Sequence, residues 1–259
     1  MTMSNLCEMF NKYFDVITVD ESWVVDEAFR LRYQIYCVEQ GFEDASYFKD
    51  KREFDDVDCR SVHGIVRHLT SGITAATVRL VLPDPNNPEA AFPIEAHCRD
   101  SLKVGSPLLK GVPRHSIAEI SRFAVSKDFK RRLGEARHVA GVGPDHDKYL
   151  KQGPSGKRAI PHLILGLFVA IVRMSAEQNI THWYAVMDLS LLRLLSRFGI
   201  DFVPIGDPVD YHGLRQPCFR SVDEVLAGIW RKRLDIWQLI TADGTVWPAP
   251  ANHSLRVGS

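Results

Sequence analysis

Apolar positions along this chain recur with two different periods, and the switches between them outline its elements. A short helix is predicted over residues 3–14, and the alternating FDVITVD of residues 14–20 predicts a first strand. Residues 23–40, WVVDEAFRLRYQIYCVEQ, space their apolar side chains three and four apart, which predicts a helix capped by Asp20 or Ser22 and ended by Gly41. The polar stretch 42–59 reads as a loop. Two strands follow, 62–69 and 73–83, joined by Thr70-Ser71-Gly72 in the manner of a hairpin. Pro83, Pro85 and Pro88 break the pattern, a further strand occupies 118–125, and a second polar excursion runs over 127–158. A strongly apolar helix starts near Pro161. The remainder reads as strand 182–188, helix 190–199, strands 201–206 and 215–222, helix 222–240, and an irregular tail after Ala242.

The order β, α, β-hairpin, β, α, β, α, β places antiparallel strands ahead of strand-helix alternation. That argues for an α/β protein with one mixed sheet and helices on both faces. At 259 residues and 45% hydrophobic content the chain is expected to form a single domain over 1–242 with a tail over 243–259. Its 32 basic and 32 acidic residues cancel, so no overall field recruits nucleic acid or an anionic membrane. The five cysteines, at 7, 37, 59, 98 and 218, suit neither a disulfide framework nor a zinc site, and they read as free thiols in a reducing cytoplasm. The apolar run LILGLFVAIV stops at Arg173, about half a membrane span, and the N-terminus carries no export pattern. Neither export nor membrane insertion is expected.

Chemistry concentrates at EISRFAVS, residues 119–126. In an extended chain Glu119, Ser121 and Phe123 share one face, and Ile120, Arg122 and Ala124 the other. A carboxylate turned toward a buried face needs a partner. Glu119 is therefore either half of a salt bridge, to Arg79 or Arg122, or a group held for catalysis; both readings can hold together.

Several separated motifs resemble one family, the acyl-homoserine-lactone synthases and the related N-acyl amino acid synthases. Arg32, Tyr36 and Phe42 occupy the spacing at which lactone synthases carry arginine, phenylalanine and tryptophan. Asp55 and Asp58 match the family's acid pair, Arg79 its strand arginine, and Glu119-Ile-Ser-Arg-Phe its Glu-x-Ser-Arg-Phe. With VDYHGLRQPCF at 209–219, the likeness looks nearest to the acyltransferases associated with the exosortase sorting system. The resemblance implies a GNAT-like acyl-CoA N-acyltransferase fold, in which two central strands splay and the thioester donor enters the gap. Phe42 and Tyr36 stand where the family's tryptophan and phenylalanine shape the S-adenosylmethionine pocket, which favours an amino acid over S-adenosylmethionine as acceptor.

On that resemblance Glu119 is the expected general base, a backbone N–H near Phe123, Ala124 and Val125 meets the oxyanion, and Arg122 belongs to the same catalytic group. Arg32, Tyr36, Phe42, Asp55, Asp58, Arg79 and Ser121 are expected on the acceptor side, where Asp55 and Asp58 would hold Arg32 and Arg79 in a charged network, with acids meeting an ammonium and an arginine meeting a carboxylate. RRLGEA at 131–136 fits the Arg-x-x-Gly-x-Ala pattern that binds the coenzyme A pyrophosphate. The same stretch, through Lys127, Lys130, Arg131, Arg132 and Gly134, is the expected dock for the phosphopantetheine of acyl carrier protein, the preferred donor. The acyl chain is expected along the apolar helix near Pro161 and the strand around Met187, although core packing explains those residues equally well.

Other residues attract weaker readings. His63 alternates with Val62 and Ile65 and reads as a satisfied histidine; GPDHDKY at 143–149 lacks paired metal ligands, so neither a metal nor a tightly bound cofactor is expected. Cys98 and Cys218 have no histidine motif beside them, which argues against a covalent thiol route. The enzymatic alternatives are a lactone synthase using S-adenosylmethionine and a coenzyme A-dependent acyltransferase; the non-enzymatic one is a module that senses acylated carrier protein.

Overall fold

Residues 4–18, 21–103, 107–129, 160–210 and 212–250 are described by the computed structural model. Helix α1 (Asn5–Tyr13), capped by Ser4, leads into β1 (Phe14–Ile17). Helix α2 (Ser22–Arg32) begins after Glu21, so Ser22 is its first residue and not its cap; Asp20 lies outside the described residues. The expected continuous helix then widens into a π-helical stretch, Tyr33–Glu39, before Gly41 at φ +64° ends it. Such widenings re-aim side chains and recur at functional sites. Apolar spacing alone does not distinguish them from an α-helix.

The remaining elements are β2 (Ser61–His68), β3 (Thr74–Val81), the single turn α3 (Pro93–His97), β4 (Ile117–Val125), α4 (Ile160–Glu177), β5 (His182–Asp188), α5 (Leu189–Arg197), β6 (Val203–Pro204), β7 (Val209–Asp210), β8 (Leu214–Ser221), α6 (Val222–Lys232) and α7 (Leu234–Thr241). The helix expected over 222–240 is thus two, separated at Arg233, whose φ of −148° and ψ of 79° leave the helical region. Past Ala242 no helix or strand forms among the described residues. The segment is nonetheless anchored: Val246 and Trp247 pack on the core, and Trp247 Nε1 donates to Asp223 at 2.8 Å.

The strands make one eight-stranded sheet in the order β1-β2-β3-β4-β5-β8-β6, with β7 also on β8. Only β4 and β5 run parallel, and they pair for four residues, Ile117–Ile120 against His182–Ala185. Beyond Ile120, β4 stays with β3 while β5 continues along β8 to Asp188↔Arg215. The sheet therefore parts between its two middle strands. Helix α4 covers one face, and its residues from Leu163 to Val172 other than Gly166 belong to the main core together with Val78, Leu80, Ala118 and Ile120. An all-round apolar helix is what two packed layers require. Gly64 permits the close seating, since a Cβ there would lie 2.6 Å from the Cβ of Ala170. The opposite face carries a smaller cluster of Val81, Phe92, Ile94, Ile117, Tyr184 and Phe219.

Candidate active site

A β-bulge where the sheet parts determines which side chains meet. Thr77 faces Ala124 and Arg79 faces Ser121, so β4 holds one residue more than β3, and Arg122 sits at φ +49° in the left-handed region. A non-glycine residue there is strained by about 1–3 kcal/mol, a strain often kept at functional positions. The extra residue reverses the alternation. Phe123 packs on Phe168 of α4, ring centroids 5.9 Å apart, while Arg122 turns to the side of Glu119 and Ser121. Simple alternation grouped Glu119 with Phe123 and set Arg122 opposite; the bulge corrects both assignments. Ala124 and Val125 are back in register with Thr77 and Ala76, fully buried and off the cavity wall, so of the expected oxyanion positions only Phe123 lies at the opening.

On that side three arginines meet three carboxylates. Arg32 bonds Glu53 at 2.5 Å and takes both oxygens of Asp58 at 2.7 and 2.9 Å. Arg79 reaches Asp55 at 2.6 Å, Asp58 at 2.9 Å and the Ser121 hydroxyl at 2.9 Å. Arg122 bonds Glu53 at 2.8 Å and Asp55 at 3.2 Å, with its guanidinium 5.0 Å from the Tyr36 ring centroid. The three-residue spacing of the aspartates is a reciprocal cap: Asp55 accepts from Val57 N–H, and Asp58 accepts from Asp55 N–H, around the 3-10 turn Asp56–Arg60.

Glu53, which joins Arg32 to Arg122, is the member that sequence reasoning missed. It lies in a stretch read as loop, and its only signal is the two-residue offset from Asp55. Burial pushes the Glu53 and Asp58 carboxyls up, but the adjoining guanidiniums prevail and hold both below the usual carboxylate range. His63 is pushed down to about 4 by burial and then by Arg32; it stands edge-on to Phe29 and is a packed neutral histidine. Arg32 and Asp58 form the expected charged network with Arg79 and Asp55 but do not themselves line the cavity; they brace the wall formed by Arg79 and Asp55.

Glu119 is 4% exposed, and its Oε2 accepts the Ile94 N–H at 2.8 Å. Burial raises its pKa to about 8, against the opposing pull of that bond and of Arg79. Among the described residues no ion pair reaches it. The salt bridge to Arg79 or Arg122 is absent because both guanidiniums are engaged elsewhere.

A cavity of about 360 Å³ opens where β4 and β5 separate. One part is polar, with the charged Asp55, Arg79 and Arg122 beside Glu119 and Ser121; the other is apolar, with Ile120, Phe123, Phe168, Met187, Leu191 and Leu195. Tyr36 and Phe42 also line it, and Phe42 stacks on His212 at 4.5 Å. Phe168 and Met187 come from the expected apolar helix and strand. Leu191 and Leu195, four apart on α5, and Phe202 were not expected at a site, because that spacing also describes ordinary core.

Cys98 reaches the wall, but burial and the neighbouring Glu119 push its thiol up to about 11, and burial takes Cys218 to about 12; neither supplies a thiolate near neutrality. Lys127 is exposed in a 3-10 turn after β4 and does not line the cavity. Lys130, Arg131, Arg132 and Gly134, with the 131–136 and 143–149 motifs, lie outside the described residues. Among the described residues there is no group of three or more metal-ligating side chains, and no helix long and apolar enough to cross a membrane.

Residues 31–139 match the acetyltransferase (GNAT) domain family. The acyl-homoserine-lactone synthase LasI superposes with a TM-score of 0.55 at 16% identity, covering 85% of this chain and 95% of that one. BjaI, a coenzyme A-dependent acyl-homoserine-lactone synthase solved with S-adenosylmethionine and isopentyl-CoA, gives 0.52 at 19% identity, with 92% and 90% covered. FeeM, an N-acyl amino acid synthase from uncultured soil microbes, gives 0.49 at 12%, with 83% and 93% covered. No curated protein matches the sequence. The fold is the acyl-CoA N-acyltransferase fold, a mixed sheet parted at its centre. This fold and the domain match over residues 31–139 are those of GNAT-type acyltransferases, and the lactone synthases named above share the fold.

Proposed function

We propose that the protein is an N-acyltransferase that moves a fatty acyl group from a thioester donor to the amine of a small polar acceptor, an amino acid. The observation that carries this is Glu119, a buried carboxyl raised to about 8 on the wall of a cavity that is charged on one side and apolar on the other. Amide formation needs a neutral amine, and a base of that pKa removes a proton effectively near neutral pH. In the step, the amine nitrogen attacks the thioester carbonyl and the C–N bond forms. Glu119 takes the ammonium proton, directly or through one water, the C–S bond breaks, and the thiolate leaves to be protonated from Glu119. The N–H of Phe123, at the bulge, is the proposed oxyanion donor. The acyl chain lies along Phe123, Phe168, Met187 and Leu191.

Acyl carrier protein is the proposed donor, bound through the basic run 127–132, whose first member Lys127 is exposed beside the end of β4. Asp55 and Arg79 stand on the acceptor side. The test is release of free thiol from acylated carrier protein, with and without a panel of amino acids, by the wild type and by Glu119→Gln. The substitution is expected to slow turnover at least tenfold while carrier binding changes little. Equal thiol release by the two proteins would make Glu119 structural and overturn the mechanism. Release of methylthioadenosine from S-adenosylmethionine would replace the amino acid reading with that of a lactone synthase. Carrier affinity insensitive to added salt would remove the basic dock.

A further inference from the structure

Three arginine-carboxylate pairings that neutralise one another form and brace the acceptor side of the cavity, yet a fourth arginine enters it with no such partner among the described residues. Arg215, the second residue of β8, lies opposite Asp188 across the β5–β8 ladder, and its side chain lines the cavity. Its Nε is buried without a hydrogen-bond partner, and among the described residues no carboxylate lies within ion-pair distance of it. The nearest candidate across the strand, Asp188, directs an oxygen at the Ser190 N–H at 2.7 Å and at the Ser190 hydroxyl, as the cap of α5. The charge of Arg215 is felt at Tyr36 and at His212, which places it beside the aromatic wall of the acceptor side.

A substrate anion that approached Arg79 or Arg122 would have to displace Asp55 or Glu53 from bonds of 2.6 and 2.8 Å. At Arg215 it would instead meet a guanidinium on the cavity wall that no carboxylate engages among the described residues, and a guanidinium offers a carboxylate two parallel bonds. We infer that Arg215 is the specificity-determining residue for the acceptor, binding its carboxylate and so selecting amines that carry one. The inference rests on the N-acyltransferase reading and narrows its substrate class to α-amino acids and their carboxylate-bearing derivatives. It revises the sequence-based expectation, which gave that task to an arginine of the Asp55–Asp58 network.

The experiment uses the full chain and its Arg215→Met and Arg215→Lys variants, with the twenty amino acids and their carboxamides as acceptors. In the wild type, amino acids are expected to be acylated with a KM at least tenfold below that of the matching amides. In Arg215→Met that ratio collapses to within about twofold, with kcat changed less than threefold, and Arg215→Lys restores part of it. An amino acid-to-amide ratio that survives Arg215→Met would overturn the inference while leaving the acyltransferase reading intact. If the wild type acylates no member of the panel, that reading falls, and thermal shift still decides on Arg215. Stabilisation of the wild type by amino acids, absent with amides and lost in Arg215→Met, supports the assignment; a shift equal in both proteins, or none in the wild type, removes it.

Discussion

Glu53 and Glu119 make an instructive pair, because both are carboxyls almost closed to solvent at 1% and 4% exposure, in one site, and they are driven in opposite directions. Burial acts alike on the two and raises both. Glu53 then meets the guanidiniums of Arg32 and Arg122 and stays ionised, whereas Glu119 meets one backbone N–H, that of Ile94, and rises to about 8. The first is part of the frame. The second can exchange a proton near neutral pH. Side-chain type and depth being matched, the number of charged partners separates scaffold from candidate chemistry.

The strongest way to break this comparison is Glu53→Ala. It takes from the Arg32 guanidinium, 0% exposed, one of its two carboxylate partners, Asp58 remaining, and from Arg122 its 2.8 Å bond; removal of one partner from a buried ion pair lowers stability by up to about 3–5 kcal/mol. Urea unfolding measures it, and a loss below about 1 kcal/mol would deny Glu53 its structural role. Next in size is the pH dependence of turnover. If Glu119 must be ionised to act, kcat/KM climbs about tenfold per pH unit below pH 8 and levels above it, provided the acceptor amine does not itself limit the profile. A flat profile between pH 6 and 8 would separate the raised pKa from catalysis.

Stability should respond to the two groups in opposite pH windows. Glu119 has a folded pKa above its ordinary 4.5, so the native state holds a proton the unfolded chain has lost; that contribution is full below about 4.5 and disappears as the pH rises toward 8. Glu53, held below 4.5, contributes above that value and loses its contribution as the pH falls through its lowered folded pKa. Melting temperatures across pH 5–9 are therefore expected to fall more steeply for the wild type than for Glu119→Gln; parallel curves would contradict the assignment. The smallest effect is on acyl length. Leu191→Phe, filling the apolar end of the cavity, should shift preference toward donors one or two carbons shorter, at about 0.8 kcal/mol per methylene no longer buried, as read by competition between acyl donors.

Much of the frame was legible from local pattern. Period-two runs located β2, β3, β4 and β5, because a strand with a buried face must alternate or be continuously apolar, and the long apolar stretch located α4. Asp55, Arg79, Ser121 and Glu119 were legible through motif resemblance, and all four reach the cavity. Glu53 was not, and Arg215 stood inside the quoted 209–219 stretch without a role, since a charged residue in a polar loop or at a strand end has no periodic signature and acquires meaning only from what folds against it.

The amino-acid sequence by itself determined the order of the principal strands and helices, the apolar content that makes α4 the centre of the core, and the presence of acids and arginines enough to neutralise one another. Only the tertiary structure decided which acid is neutralised and which is isolated. The one-residue bulge at Arg122 reverses the faces of β4, and the parting of β4 from β5 opens the cavity. Both depend on register between segments distant along the chain, and register follows from packing of the whole sheet, not from the local spacing of apolar residues.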